Sequence, residues 1–190
     1  LMIACRNGHK DVVKLLLDHS KRIELNAKNN NGLTALMFAG KYGHKDVVQL
    51  LLDHSYIIEL NAKSNNGNTA FMLACRYGCK DVVKLLLDNS ERIELNARTN
   101  LGTTAFMMAC KKGHKDVVQL LLDNSEKIEL NAREQNGWTA LTLACILGLK
   151  DVVKLLLEYS KLLDINISES DPISKDIKHI IELHSMKVQK

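Results

Sequence analysis

The chain has 190 residues, of which 46% are hydrophobic and 25% are charged, a composition typical of folded domains and unlike that of disordered chains. Its 26 basic and 22 acidic residues give a net charge of +4, a smaller excess than the dense basic face of a dedicated nucleic-acid binder. The longest uncharged apolar stretch, residues 141–149, is far shorter than the ~20 residues of a membrane-spanning helix. Five cysteines in no paired spacing argue against a secreted disulfide scaffold.

A period of 35 residues runs through the chain. A glycine recurs at this interval, and each is followed two residues later by Lys-Asp-Val-Val, one further residue and three leucines. These glycines are Gly8, Gly43, Gly78, Gly113 and Gly148. Such self-similarity predicts a repeat array over residues 1–166. Because Leu1 falls within the pattern, the expected units are a partial repeat, 1–25, and complete repeats 26–60, 61–95, 96–130 and 131–166.

Each unit is predicted to contain a short helix and a longer one. In the second unit the short helix is expected over residues 35–42, with the Thr34 hydroxyl capping its first turn and Gly43 ending it. The longer helix, residues 45–54, carries a wide apolar face that can be buried on both neighbouring units. The alternation of apolar and polar residues at 58–60 then indicates an extended arm leading into the next turn.

The C-terminal segment is expected to close the array. Residues 167–190 are predicted to form one capping helix, with Asp171 and Pro172 at its start. The side chains in helical spacing are Ile173, Ile177, Ile180, Ile181 and His184. A terminal unit of this kind gives a repeat array the polar outer face that it needs for solubility.

Two stretches of each unit resemble the ankyrin repeat. In the second unit they are Gly-Leu-Thr-Ala-Leu-Met-Phe-Ala-Gly, residues 32–40, and Gly-His-Lys-Asp-Val-Val-Gln-Leu-Leu-Leu, residues 43–52. The resemblance covers residues 1–166 and implies an all-α fold, an ankyrin-repeat α-solenoid of helix-turn-helix units with β-hairpin-like loops. The near-identical units, rich in Asn and Lys, also resemble ankyrin proteins of amoeba-infecting giant viruses and intracellular bacteria. That likeness implies an intracellular, cytoplasmic location, in the host cytoplasm if the protein is a viral or bacterial effector.

The units also depart from the ankyrin pattern. Their period is 35 residues where ankyrin repeats have about 33, and the two extra residues are predicted to lengthen the exit from the second helix. The apolar residues expected to be buried there are Ile23, Ile58, Ile93, Ile128 and Leu163. The family's Pro at the start of the first helix is Ala, and its His two residues later is Met or Thr. The family's buried Thr–His hydrogen bonds are therefore expected to be missing.

One asparagine opens each complete unit. These residues are Asn26, Asn61, Asn96 and Asn131. The resemblance places them where ankyrin proteins are substrates of asparaginyl hydroxylase.

No arrangement of residues in the sequence indicates catalysis or metal binding. Cys5, Cys75, Cys110 and Cys145 share one repeat position, where a spacing of about 8–10 Å between helices would keep them apart as buried thiols. Cys79 stands where other units have histidine or leucine, a variation that argues against a metal ligand. No nucleophile elbow, phosphate loop or carboxylate pair is present. We therefore predict that the protein is not an enzyme and has no catalytic, cofactor-binding or metal-binding residues.

The resemblance to ankyrin repeats implies that a partner binds the concave face, which the loop tips and first helices form. Tip residues such as Asn65, Asn100 and Gln135 belong to that face. The residues expected to contact the partner are Arg6, Leu33, Lys41, Tyr42, Asn68, Arg76, Tyr77, Leu101, Lys111, Lys112, Trp138 and Ile146. Tyr, Trp and Arg are enriched at binding hot spots. For Ile146 and Leu147 the alternative is that the segment after residue 167 folds back and covers them.

The predicted function is that of a non-catalytic scaffold, a monomer that binds another protein through this face and contacts no membrane. A line of cations, Arg6, Lys41, Arg76 and Lys111, suits an acidic segment of the partner. A second hypothesis is a targeting or substrate-recruiting module of a larger multidomain protein, an enzyme or a ubiquitin-ligase adaptor. Nucleic-acid binding through the basic line is the weakest hypothesis, because carboxylates nearly balance the basic residues.

Overall fold

The computed structural model describes residues 1–165 and 172–188, and these residues form eleven α-helices and no β-strand. The first helices of the units form an inner layer, made of α1 (Met2–Asn7), α3 (Ala35–Tyr42), α5 (Ala70–Arg76), α7 (Ala105–Lys112) and α9 (Ala140–Ile146). The second helices form an outer layer, made of α2 (Lys10–Asp18), α4 (Lys45–Asp53), α6 (Lys80–Leu87), α8 (Lys115–Leu122) and α10 (Lys150–Glu158). Each helix packs against the same-layer helix of the next unit and against its partner in the other layer. The predicted all-α solenoid is confirmed.

The inner helices from α3 onward begin at a threonine, and α3 and α7 end at a glycine. The Thr34 hydroxyl oxygen accepts a hydrogen bond from the Met37 backbone N–H at 3.4 Å, which satisfies an amide that the first helical turn leaves without a partner. The equivalent caps of α5, α7 and α9 are Thr69, Thr104 and Thr139. Gly43 ends α3 with φ at 75°, a left-handed conformation that residues with a side chain rarely adopt. Both predicted signals are confirmed.

The core lies between the two layers and contains the methionines that stand at the family's histidine position. Met37, Met72 and Met107 are all buried there. In the last unit the position is Thr142, whose hydroxyl lies 3.1 Å from the Thr139 hydroxyl and hydrogen-bonds to it. Apolar packing therefore replaces the Thr–His pair in three units, and a Thr–Thr pair replaces it in the fourth.

The chain leaves each outer helix through further turns. In the second unit, His54 Nδ1 donates to the Leu50 carbonyl at 2.8 Å and caps the last helical turn. Two backbone N–H groups, of Ser55 and Ile57, then bond back to carbonyls at the helix end at 3.1 and 3.0 Å. The stretch that holds the two extra residues therefore leaves the outer helix through turns, and its greater length than in other ankyrin repeats stays a prediction.

The apolar residues predicted at this exit are buried in four units, namely Ile58, Ile93, Ile128 and Leu163. Ile23, in the first unit, is half-buried. The prediction of an extended arm at 58–60 is wrong, because the Ala62 N–H donates to the Glu59 carbonyl at 3.4 Å and closes a turn. The alternation belongs to the entry of this turn, where Ile58 is buried and Glu59 is exposed.

An asparagine joins each connecting loop to the next. The Asn61 side chain donates from Nδ2 to the Arg92 carbonyl at 2.9 Å, and its Oδ1 accepts from the Glu94 N–H at 2.8 Å. The residues that make the same pair of bonds in other units are Asn26, Asn96 and Asn131. Both polar atoms of these side chains therefore hold neighbouring loops together.

The helix α11 (Lys175–Val188) packs against α10 at the C-terminal edge. Ile177 of α11 is fully buried, whereas the predicted helix start at Asp171 lies outside the described residues. Leu147 at the end of α9 is 47% exposed and Ile146 is half-buried. The alternative that the C-terminal segment covers Leu147 is therefore wrong, because α11 lies against the outer helix. The division of the chain into units stays a prediction.

Candidate protein-binding surface

The inner helices end, and the loop tips lie, on one side of the array, which we call the inner face. The predicted partner residues that are exposed on it are Arg6, Tyr42, Arg76, Tyr77, Leu101, Lys111 and Lys112. Those that are half-buried are Leu33, Lys41, Asn68, Trp138 and Ile146. Every predicted partner residue therefore has some surface open to solvent, and their role in binding stays a prediction.

Cations and aromatic rings alternate along the inner face in the first three units. The Lys41 ammonium lies 5.1 Å from the centre of the Tyr42 ring and 5.0 Å from the centre of the Tyr77 ring. The Arg6 guanidinium, one unit earlier, lies 5.7 Å from the Tyr42 ring centre. Cation–π attraction of about 0.5–1 kcal/mol at exposed sites holds these charges against the rings. The arrangement gives a row of positive charge whose members have restricted freedom.

The cations of the inner face are unpaired, whereas three of the four equivalent loop cations are paired and the fourth, Lys28, donates to the Lys63 carbonyl at 3.2 Å. Within the described residues, the cations without an ion pair to a carboxylate include Arg6, Lys41, Arg76, Lys111 and Lys112. The loop ion pairs are Lys63–Glu94 at 3.8 Å, Arg98–Glu129 at 2.7 Å and Arg133–Asp164 at 2.5 Å. Positive charge is therefore neutralised along the loops from Lys63 onward and left unneutralised on the inner face.

A groove of about 560 Å³ lies on the inner face between the third and fourth units. Its lining residues are Asn66, Asn68, Arg76, Thr99, Asn100, Leu101, Thr103, Met108, Lys111 and Lys112. Three of these residues are cationic, none is acidic, and Leu101 and Met108 supply an apolar wall. The groove brings together five of the predicted partner residues and suits a segment that carries both carboxylates and an apolar side chain.

Asn68, which lines this groove, has a buried polar atom without a partner among the described residues. Its backbone N–H donates to the Ser64 hydroxyl at 3.1 Å, but its side-chain Oδ1 is buried and has no hydrogen-bond partner among the described residues. A buried acceptor without a partner costs about 1–3 kcal/mol of stability. The equivalent residues in other units are Leu33, Thr103 and Trp138. Because this oxygen is closed to solvent, the role of Asn68 in binding stays a prediction.

A residue of the next unit holds the turn that carries each of the first three cations. His44 donates from Nε2 to the Arg6 carbonyl at 2.8 Å, and the Cys79 thiol donates to the Lys41 carbonyl at 3.5 Å. His114 makes the equivalent bond one unit further along, at 3.0 Å. These are the positions where histidine alternates with cysteine and leucine. The sequence did not predict this role. The variation at these positions argued against a metal ligand, but a hydrogen bond between units can be made by either histidine or cysteine.

The loop tips are joined to one another by amides that were predicted to face the partner. Asn65 donates from Nδ2 to the Asn30 carbonyl at 2.9 Å and from its backbone N–H to the Asn31 carbonyl at 3.1 Å. Asn100 and Gln135 repeat both bonds one and two units later. These amide donors therefore hold the tips in line, whereas the side chains stay exposed and their role in binding stays a prediction.

None of the cysteines is fully exposed on this surface. Cys5, Cys75, Cys110 and Cys145 are buried, as predicted, and Cys79 is half-buried. Burial raises the pKa of the Cys5 thiol to about 12 and also raises the pKa of Cys79, which disfavours the nucleophilic thiolate. In the part of the chain that the structure describes, no three His, Cys, Asp or Glu side chains are grouped to hold a metal ion. Among those same residues, no helix has the length and apolar character of a membrane span.

Comparison with known proteins identifies the family. A sequence model described as ankyrin repeats (3 copies) matches residues 1–99 and 91–169, which together contain all the helices of both layers. A comparison with curated proteins gives no match. With the repeat, the two helical layers and this match in agreement, the chain belongs to the ankyrin-repeat family.

Proposed function

We propose that the chain is a non-catalytic scaffold that binds another protein through its inner face, and that the bound part of the partner is an acidic segment. Ankyrin repeats are generally protein–protein interaction modules. The observation that supports an acidic partner is the contrast in charge pairing between loops and inner face. A row of cations without carboxylate partners creates a positive field that attracts and orients an acidic segment.

The small net charge of the chain strengthens this proposal. A charge of +4 spread evenly over 190 residues would attract acidic groups weakly and everywhere. The loop ion pairs remove positive field from the edge of the array, and the inner face keeps it. The attraction is therefore local, which is what selective docking of one segment requires.

We further propose that the protein is a monomer and that it works inside a cell. Its five cysteines are reduced thiols, which suits a reducing compartment. Sedimentation equilibrium should give the mass of one chain across the micromolar range. A mass that rises with concentration would contradict the monomer.

The test compares charge reversal on the two sides of the array. The inner variant carries Lys41→Glu, Arg76→Glu and Lys111→Glu. The matched outer variant carries Lys14→Glu, Lys84→Glu and Lys154→Glu, three exposed residues of the outer helices, and changes the net charge equally. Circular dichroism should show both variants folded.

Affinity capture from lysate of the source cell should then lose the partner with the inner variant and retain it with the outer variant. Equal capture by the two variants would place the binding surface elsewhere. Loss with both variants would indicate that net charge, and not the inner face, governs binding.

A further inference from the structure

The cations of the inner face recur once per unit, along the direction in which the inner helices stack. Packed helices of neighbouring units lie about 8–10 Å apart, and this distance sets the interval between the cations. The cation–π contacts agree with this interval between cations. Arg6 and Lys41 of adjacent units lie 5.7 and 5.1 Å from the centre of the same Tyr42 ring, so the two charges are at most about the sum of these distances apart. A segment that meets one cation per unit must therefore present a carboxylate about every 8–10 Å.

Backbone conformations differ in the interval at which they return side chains to one face. A β-strand does so every second residue, at about 7 Å and again at about 13 Å, and neither value fits. A polyproline II helix has three residues per turn and rises about 3.1 Å per residue, so every third side chain returns to one face after about 9 Å. An α-helix returns residue i+7 after about 10.5 Å, which fits less closely and uses one residue in seven.

Two features of the inner face favour the polyproline II conformation over the α-helix. The rings of Tyr42 and Tyr77 line the row of cations, and grooves lined by aromatic rings are the surfaces on which polyproline II segments dock. Acidic segments with few apolar residues are disordered when free, and polyproline II is a major conformer of such chains. The segment therefore loses little conformational entropy when it adopts its bound conformation.

We infer that the partner segment binds as a polyproline II helix with an acidic residue at every third position, each carboxylate meeting the cation of one unit. This inference rests on the proposed function, since it specifies the segment that the inner face binds. Four cations, Arg6, Lys41, Arg76 and Lys111, require four carboxylates within about ten residues.

The groove between the third and fourth units adds one further requirement. Leu101 is 60% exposed at its rim, and Lys112 provides a second cation beside Lys111. Between the carboxylates that meet Arg76 and Lys111 lie two residues of the segment. One of them faces the groove, and an apolar side chain there covers Leu101 and removes its surface from water.

The test measures the affinity of the full chain for labelled synthetic peptides by fluorescence anisotropy at fixed salt concentration. The first peptide is built from Glu, Pro and Ala with Glu at every third position. The second has the same composition with Glu at intervals of two and four residues. A third is an alanine-based helix with Glu at every seventh position, and a single-stranded oligothymidylate of equal charge is the fourth probe.

The first peptide should bind at least about tenfold more tightly than each of the other probes, because they align fewer charges with the cations. The inner charge-reversal variant should weaken its binding about tenfold or more, and the outer variant should leave it unchanged. Replacing one Ala by Leu between the third and fourth Glu should strengthen binding to the natural chain and not to a Leu101→Ala variant.

Each contrary outcome has a defined meaning. Equal affinity of the first two peptides overturns the three-residue interval and leaves the proposal of an acidic partner intact. Tightest binding of the helical peptide overturns the polyproline II conformation. Tightest binding of the oligothymidylate overturns the inference and the acidic protein partner together. If no peptide binds while capture of a protein still depends on the inner face, the inference fails and the proposed function stands.

Discussion

Helices α2 and α10 have nearly the same sequence and very different surroundings. They read Lys-Asp-Val-Val-Lys-Leu-Leu-Leu followed by Asp in α2 and by Glu in α10. Leu15 of α2 is 59% exposed, whereas the equivalent Leu155 of α10 is 3% exposed. Val12 and Val152 differ in the same way, at 48% and 2%. The difference follows from the neighbours, because α10 packs against α8, α9 and α11 whereas α2 packs against α1 and α4.

This comparison shows that burial in the array belongs to contacts between units. The helix sequence provides an apolar face, and a neighbouring helix decides whether that face is covered. In repeat arrays stability is approximately the sum of the terms for single units and for the interfaces between them. The same side chain should therefore contribute differently to stability at the two edges.

The largest expected difference is between two equivalent leucine substitutions. Leu155→Ala should destabilise the array by about 2–4 kcal/mol, because it leaves a cavity in a covered interface. Leu15→Ala should change the free energy of unfolding by less than about 0.5 kcal/mol, because that side chain is largely exposed already. Urea denaturation followed by circular dichroism measures both values. Similar losses for the two variants would show that the helix, and not its neighbour, determines the contribution.

The periodicity of the sequence predicted the layers, since helix caps, glycine stops and apolar faces are local signals that recur in every unit. The extended arm at 58–60 is predicted wrongly, because alternate burial at the entry of the turn at 59–62 has the same two-residue period as a strand. The hydrogen bonds of His44 and Cys79 link residues 38 positions apart, and no local pattern marks them. The exposure of Leu147 depends on where α11 docks, which is likewise set by contacts distant in sequence.

The loop asparagines extend the comparison to polar contacts. Asn61→Ala should cost about 1–2 kcal/mol, because the Arg92 carbonyl and the Glu94 N–H lose their partners. Asn131→Ala removes the same bonds at the C-terminal edge, and its effect should be confined to the last loop. Hydrogen exchange measured by mass spectrometry distinguishes a loosening that spreads to both neighbouring loops from one restricted to residues 159–165. Equal spreading in both variants would mean that edge and interior do not differ in this respect.

A smaller effect is expected in the reactivity of the buried thiols. Cys5 and Cys110 are equally buried, but Cys5 lies in the first unit, whose outer helix is partly uncovered. Local opening should therefore be easier there, and a thiol reagent should label Cys5 about tenfold faster than Cys110 in the native protein. Half-buried Cys79 should react before either of them. Peptide mapping of timed samples gives the order, and labelling of Cys110 as fast as Cys5 would contradict the difference in local stability.

The smallest effect is expected at the exposed ion pair that joins α11 to α10. The Lys150 ammonium donates a hydrogen bond to an Asp176 carboxylate oxygen at 2.7 Å, and this bond, with the attraction of the Lys150 charge, lowers the pKa of the carboxyl below its ordinary 3.8. Because the pKa is lower in the folded state, the stabilisation is present above about pH 4 and is lost as the pH falls through the folded value. The amide resonance of Ile177 should therefore report loosening of α11 on acidification, and added salt should reduce the dependence. Asp176→Asn should weaken the docking at neutral pH and remove that acid-dependent step. If the variant keeps the step, another carboxylate controls the docking of α11.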